Sequence, residues 1–394
     1  MTSHPDFADF TEPQLVETAR RRRTFSIGLP RCDSKTEKRF PLTPEGVNML
    51  VERGFTVKME AEAAGSIHYP DSTYIRKGAS IVERQETLLC DIVIHLAPLK
   101  VSEIKKLRRG AMLLTLLHIH EQKPEIIKAL LDHGIITIAI DLITDENGNR
   151  PFADILEEID GRASIAIASA LLADSANGKG ILLGGIAGIV PCEVVIIGSG
   201  IGAIAAARSA TGLGTIVRLF DNDVYSLRTA IRELGSGVIG SALHPNVLNK
   251  ALASADIVLV SPTSNEVVFG NEVVQTMKKG VLTFDLTCRE GGAFPSLPTV
   301  NLSSARPDDN RGDGRVCYIH AGSAVPRTAA MALSNTFITM LDDIMTLEGV
   351  TNALKLSPGL QAATITFMGK LVNGQVAREV GMHHVDISLF IQLS

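Results

Sequence analysis

Short apolar blocks and polar connections follow one another along this chain in a rhythm that reads strand, helix, strand from residue 24 onward. Runs rich in β-branched residues at 24–29, 56–61, 91–96, 111–117 and 135–140 have the length and near-continuous hydrophobicity of strands buried on both faces. Helical spacing fills the gaps. Thr43-Pro44-Glu45 puts a capping hydroxyl ahead of a first-turn proline and opens a helix that should end at Gly54. A second helix spans 124–133 and stops at Gly134. Such alternation predicts a parallel sheet covered on both faces. Residues 147–151 are a loop signal, and a long apolar helix over 153–173 then leads out of this first unit.

The next stretch is the most informative. Cys192 to Ile197 is a buried strand, and it breaks into Gly198-Ser199-Gly200-Ile201-Gly202-Ala203 before an Ala-rich helix over 203–210. Gly198 permits the tight turn, Gly200 lets backbone N–H groups approach a pyrophosphate, and Ala203 allows close packing of helix on strand. The helix N-terminus then faces the phosphates. A further strand over 215–220 ends in Asp221, about 20 residues after the glycines, where an acid binds the ribose hydroxyls of NAD and repels the 2′-phosphate of NADP. Arg218 and Asn222 flank it. Strand, turn, helix, strand and terminal acid in register predict dinucleotide binding, with NAD as cofactor. Gly198, Gly200, Gly202, Ala203 and Asp221 are the expected contacts, joined by Ser261 and Pro262 after the strand over 256–260.

Alternation continues with a helix to Leu234, a short strand near 237–239, a helix over 246–253, another over 272–277 and a strand over 281–286. Residues 303–315 read as an exposed loop. The apolar helix over 329–345, with a further helical segment, is expected to return the chain to the first domain. The fold class is therefore α/β, two doubly wound Rossmann-like domains with a cleft between them. One comprises 24–152 and 322–394, the other, NAD-binding, 153–321, and residues 1–23 form an N-terminal extension.

Composition narrows the function classes. Among 394 residues, 45% are hydrophobic and 21% charged, which suits an ordinary globular protein. A net charge of −5 leaves no electrostatic footprint for nucleic acid. Cys32, Cys90, Cys192, Cys288 and Cys317 are odd in number and form no C-x-x-C pair, an arrangement that suggests reduced cytosolic thiols and no structural zinc. No run is long and apolar enough to span a bilayer, and the N-terminus shows no signal-peptide hydrophobic region, so the expected location is cytoplasmic.

Several stretches together resemble the alanine dehydrogenase family, with its relatives the transhydrogenase NAD-binding subunit and saccharopine dehydrogenase. They are Arg39-Phe-Pro-Leu-Thr43-Pro-Glu-Gly-Val, Leu113-Leu-Thr-Leu-Leu-His118, the Gly180-Ile-Leu-Leu-Gly-Gly-Ile-Ala-Gly-Ile run, the glycine motif, and Ala324-Val-Pro-Arg-Thr328 with Ala332-Leu-Ser-Asn335. The resemblance implies that Arg39 holds a substrate carboxylate, for which a planar guanidinium is suited, and that His118 is the catalytic histidine exchanging a proton at the oxo group. It also implies a homo-oligomer, dimer or hexamer. A metal site at His118 and His120 would lack a third ligand.

The sequence departs from the family pattern at two positions. Where the family carries a catalytic lysine, this chain has Leu96 or Ala97; His95 is adjacent, but a one-residue shift on a strand reverses its facing. Where alanine dehydrogenases carry an aspartate beside the nicotinamide, this chain has Arg289, which inverts the local field. His320 stands where the family usually has asparagine and is a candidate substitute proton donor. The expectation is an NAD-dependent oxidoreductase acting on an amino, imino or oxo acid other than, or besides, alanine and pyruvate. With Arg39, Arg289 and His118 around one cleft, its substrate would bear two anionic groups, or an anion and a carbonyl. The alternatives are an elimination or cyclodeamination enzyme that recycles NAD, and an NAD-binding regulator that has lost catalysis.

Overall fold

The computed structural model describes residues 24–33, 37–119, 122–263, 267–287, 292–304, 315–347 and 349–391. Its strands are β1 (Ser26–Leu29), β2 (Thr56–Glu60), β3 (Ser80–Val82), β4 (Ile92–Ile94), β5 (Met112–Thr115), β6 (Ile136–Ala139), β7 (Glu193–Ile197), β8 (Ile216–Phe220), β9 (Val238–Ser241), β10 (Ile257–Val260), β11 (Leu282–Asp285), β12 (Thr299–Asn301), β13 (Cys317–Ile319), β14 (Thr364–Phe367) and β15 (Lys370–Leu371). They form two sheets, ordered β15-β14-β6-β5-β4-β1-β2-β3 and β12-β13-β11-β10-β7-β8-β9. In each, the chain starts at an inner strand, winds to one edge, and returns to build the other side. This doubly wound arrangement places a crevice beyond the strands' C-terminal ends, where the winding reverses. The reversals lie between β1 and β4 and between β7 and β10.

The near-continuous apolar strands have a simple cause. Successive side chains point to opposite faces. Ile92 and Ile94 therefore enter one core of the first sheet and Val93 the other. In the second sheet Val194 and Ile196 pack on one face, Val195 and Ile197 on the opposite one. Local signals set the helix ends: Thr43 accepts from Gly46 N at 3.2 Å to cap helix Pro44–Glu52, and Gly134 closes helix Pro124–His133 with a left-handed φ of 66°.

Helix Pro151–Ala173 carries the chain from the first sheet to the second, and helix Pro326–Thr346 carries it back. The two crossings pack on each other, with the Phe152 and Phe337 rings 4.8 Å apart. Beyond them the C-terminal segment holds more than the expected helices. The β-branched run Thr364-Ile-Thr-Phe forms β14, antiparallel to β6, and β15 completes a hairpin with it. Thr366 Oγ1 donates to Ile135 O at 2.8 Å. This hairpin widens the first sheet; its four- and two-residue strands are shorter than the periodicity needed to read them from sequence.

Candidate active site between the sheets

The C-terminal edges of both sheets converge on a cleft of about 1040 Å³. Arg39 comes from the loop after β1, His118 from the segment after β5, Asp141 from the turn after β6, Thr287 from the turn after β11 and His320 from the end of β13. Ala153, Leu156, Glu157 and Asp160 add one face of helix Pro151–Ala173, as their spacing requires. Three of the four catalytic candidates thus share one cavity. The fourth, Arg289, lies outside the described residues, as do His120 and the extension 1–23.

Arg39 does not stand alone. Its Nε and Nη2 donate to the two carboxylate oxygens of Glu37 at 2.8 and 2.6 Å, and its backbone N–H reaches Glu37 Oε1 at 2.8 Å. The Arg39 side chain is 11% exposed and that of Glu37 0%, so this is a buried bidentate pair. Burial works to raise the Glu37 carboxyl, but Arg39, through charge and hydrogen bonds, and His118 hold it below the usual carboxylate range.

His118 Nε2 lies 2.9 Å from Leu96 O. A carbonyl only accepts, so this nitrogen carries a proton. Leu96, one of the two residues that could stand at the lysine position, thereby orients the histidine through its backbone carbonyl. Leu96 and Ala97 are buried, and neither lines the cleft. His95 is buried as well, turns Nδ1 onto Ala97 O at 2.5 Å and is likewise absent from the cleft lining, so it does not take the lysine's place. Burial depresses its imidazole.

Both cleft histidines have left-handed backbones, with φ of 40° at His118 and 56° at His320. Non-glycine residues of this kind are held only by a surrounding structure that overdetermines them, and they concentrate at functional sites. The His320 imidazole is driven down to about 4, first by burial and then by the Arg39 guanidinium. It is neutral near physiological pH, which removes the imidazolium form that a readily available proton donor would need.

Acids were the signal that sequence reasoning missed. Glu157, Asp141, Asp160 and Glu379 line the cleft against Arg39 and Arg378. Arg150 pairs with Glu157 at 2.7 Å. Asp141 accepts Leu117 N at 2.8 Å, and Asp160 accepts Gly322 N at 2.5 Å; burial raises both carboxyls. Among the described residues the cleft therefore holds four carboxyl groups beside Arg39 and Arg378. Two acids could have been noticed: Glu37 precedes Arg39 by two residues, and Asp160 recurs with Ala153, Leu156 and Glu157 on one helical face.

The nucleotide turn abuts this cleft. Gly198 takes a φ of 101°, and an added Cβ there would come within 3.0 Å of Ser261 O. Helix Ile201–Gly212 starts at Gly200, whose Cβ position faces open space, with Pro262 O the nearest atom at 4.0 Å. That gap is what a phosphate needs in order to approach backbone N–H groups. Asp221, at the end of β8, is buried and accepts Ser199 Oγ at 2.7 Å and Asp223 N at 2.9 Å. The Ser261 hydroxyl is buried without a partner among the described residues. An unsatisfied hydroxyl beside a glycine cradle and a terminal acid fits a dinucleotide. Gly202 carries the turn onto the crossing helix: a Cβ on Gly161 would lie 2.1 Å from Gly202 O, so only glycine permits this approach.

Comparison with known proteins agrees along most of the chain. Residues 28–157 match the family model "Alanine dehydrogenase/PNT, N-terminal domain", and residues 164–374 match "Alanine dehydrogenase/PNT, C-terminal domain". The alanine dehydrogenase of Mycolicibacterium smegmatis is 30% identical over 377 residues, covering 93% of this chain and 99% of that protein. That of Bacillus subtilis is 28% identical over 371 residues, with coverages of 93% and 97%. A solved L-alanine dehydrogenase superposes with a TM-score of 0.80 at 26% identity, covering 90% of this chain and 99% of its own. A transhydrogenase from Sinorhizobium meliloti shares the fold, with a TM-score of 0.70 at 18% identity over 89% of this chain and 99% of that one.

Proposed function

The chain belongs to the alanine dehydrogenase/PNT family of NAD(H)-dependent oxidoreductases, and from that premise we propose that it interconverts an amino or hydroxy acid with the matching imino or oxo acid, on substrates besides or in place of alanine and pyruvate. The observation that carries this reading is one cleft holding Arg39, His118 and a second-domain wall that abuts the glycine turn.

Gly198, Gly200, Gly202 and Ala203 would hold the pyrophosphate, Asp221 the ribose, and Ser261 and Pro262 the nicotinamide side. The bound dinucleotide supplies the two-electron oxidation or reduction. Arg39, kept charged and fixed by Glu37, positions the substrate carboxylate. His118, fixed by Leu96 O, serves the proton at the reacting heteroatom. Burial by the crossing helix and both sheet edges limits water at the reacting carbon. The departure from alanine rests on Leu96 and Ala97 in place of the lysine and on the acid-rich wall. Exposed apolar residues at Leu182, Ile186, Ile189 and Val190, in a hairpin turn closed by the Ile186–Ile189 bridge, support a homo-oligomer formed through that turn.

The test is NADH consumption with a panel of oxo acids, pyruvate included, with and without ammonium or a primary amine. Activity on a non-pyruvate member exceeding that on pyruvate is the expected result. A blank panel alongside calorimetrically tight NADH binding would overturn the reductase reading, and substrate turnover without net change in NADH would replace it with the cofactor-recycling elimination.

A further inference from the structure

The C-terminal hairpin adds a wall to the cleft that the nucleotide turn and the Arg39 clamp do not use. Along the first sheet the strands run β1, β4, β5, β6, β14, β15, the first four of them parallel. β14 is antiparallel to β6 and β15 to β14, so β15 points the same way as β6 and releases the chain at the cleft edge. Helix Gly374–Val380 begins there. Asn373 Oδ1 caps it by accepting Gln375 N and Val376 N, each at 3.0 Å, and Gly381 ends it with a left-handed φ of 66°. Val376 and Ala377 are buried in the core beneath. Gln375, Arg378 and Glu379, at i, i+3 and i+4, share the opposite face, and all three line the cleft. Arg378 differs from the other cations about this space. Arg39 is paired with Glu37 and Arg150 with Glu157, and the acids Asp141 and Asp160 are bonded to Leu117 N and Gly322 N. Among the described residues no carboxylate forms an ion pair with Arg378.

We propose that Arg378 sets the substrate class: it receives a carboxylate at the far end of the substrate side chain, so that the preferred substrates are 2-oxo diacids, with their amino- or hydroxy-diacid counterparts, longer than three-carbon pyruvate. The order along the sheet edge gives the substrate its direction. Arg39 follows β1, His118 follows β5 and the helix follows β15, so His118 stands between the two guanidiniums. Its Nε2 lies 3.8 Å from Glu37 Oε2, which ties it to the Arg39 end. A substrate held by its 1-carboxylate at Arg39, with its reacting carbon at His118, extends its side chain toward Arg378. A guanidinium fork suits the distal carboxylate because it donates two parallel hydrogen bonds. The second cation expected at Arg289 lies outside the described residues, whereas Arg378 brings a positive charge from the first domain. The inference rests on the oxidoreductase reading for turnover, but capture of the distal carboxylate is measurable without it.

The test sets 2-oxoglutarate and 2-oxoadipate against the apolar 2-oxopentanoate and 2-oxohexanoate and the amide 2-oxoglutaramate, in wild type, Arg378→Gln and Arg378→Lys. Wild type should favour each diacid over its chain-length match and over the amide by roughly tenfold or more in kcat/KM. In Arg378→Gln that ratio should fall to about one, through KM rather than kcat, and Arg378→Lys should recover part of it. Calorimetric titration of the NADH-loaded protein with unreactive glutarate and pentanoate reads the same contact without turnover. Glutarate should bind more tightly, and its affinity should drop roughly tenfold in Arg378→Gln. A diacid with no advantage over its apolar match, an advantage equalled by the amide, or one that persists in Arg378→Gln overturns the inference. A blank oxo-acid panel alongside Arg378-dependent glutarate binding overturns the reductase reading instead and leaves the distal carboxylate site standing. If Arg378→Gln fails to fold, the wild-type preferences for diacid over amide and for glutarate over pentanoate decide, and their absence is the refuting result.

Discussion

Replacing Glu37 with glutamine isolates the buried pair on which the proposed substrate clamp depends. The side-chain contacts at 2.8 and 2.6 Å are both charge-assisted, and neither partner has appreciable access to water. Removing one charge of such a pair costs about 3–5 kcal/mol, because the other is left buried and uncompensated. The glutamine carbonyl can still accept from Arg39, so the loss belongs at the lower end, about 3 kcal/mol. The pH dependence follows from the direction of the Glu37 shift. Its carboxyl is depressed in the fold, so its contribution is present above the ordinary value of 4.5 and is lost as pH falls through the lower folded value. Thermal unfolding of wild type and Glu37→Gln should therefore differ most near neutrality and converge in acid. The variant should also bind substrate carboxylates with altered affinity, since the guanidinium keeps one acceptor but loses its counter-charge. A Glu37→Gln protein within about 0.5 kcal/mol of wild type at neutral pH would refute the claim that this pair is a buried counter-charge.

Other outcomes follow from single contacts. Asp221→Ser should shift coenzyme preference from NADH toward NADPH by roughly ten- to a hundredfold, read as the ratio of dissociation constants, because a charge-assisted hydrogen bond and a phosphate-repelling anion are removed together. Gly161→Ala puts a methyl 2.1 Å from Gly202 O, a backbone atom that cannot turn aside; the helices must separate, at about 1–3 kcal/mol, and calorimetry should show weaker NADH binding. Asp160→Asn should raise the melting temperature more in alkaline than in acidic buffer, since a carboxyl raised by burial favours the fold while protonated and penalises it as pH rises. Ile186→Ser with Val190→Ser should reduce the mass seen by light scattering; an unchanged mass would show that the hairpin is not the contact between copies.

Most of the architecture could be read from the chain because its strands are buried on both sides. Ile92-Val93-Ile94 and Val194 to Ile197 feed two cores at once, so their uninterrupted apolar runs announce a covered parallel sheet. The nucleotide turn was legible for another reason: its glycines are imposed by backbone geometry that no other residue meets. Short edge strands such as β3, β12 and β15 were not legible, since two or three residues carry no period. The cleft acids were obscured differently. Asp160 looks like one charge on an ordinary amphipathic helix, and only the turn at Gly322, 162 residues away, makes it a half-buried group with a defined partner. Similarly, Arg39 alone suggests an anion trap, whereas Arg39 with Glu37 is a fixed and partly spent cation.

The paired crossing helices limit how this molecule can move. A single tether would let one lobe swivel freely against the other. Two chain passages packed through the tilted rings of Phe152 and Phe337 resist torsion and leave bending about their common seam as the easy motion. The cleft then opens like a book, with a spine that carries Glu157 and Asp160 and pages that carry Arg39 and His118 on one side and His320 on the other. Glu157 and Asp160 on the spine face both pages at once, so a bend about that seam changes their distances to the cleft walls less than it changes the distance between Arg39 and His320.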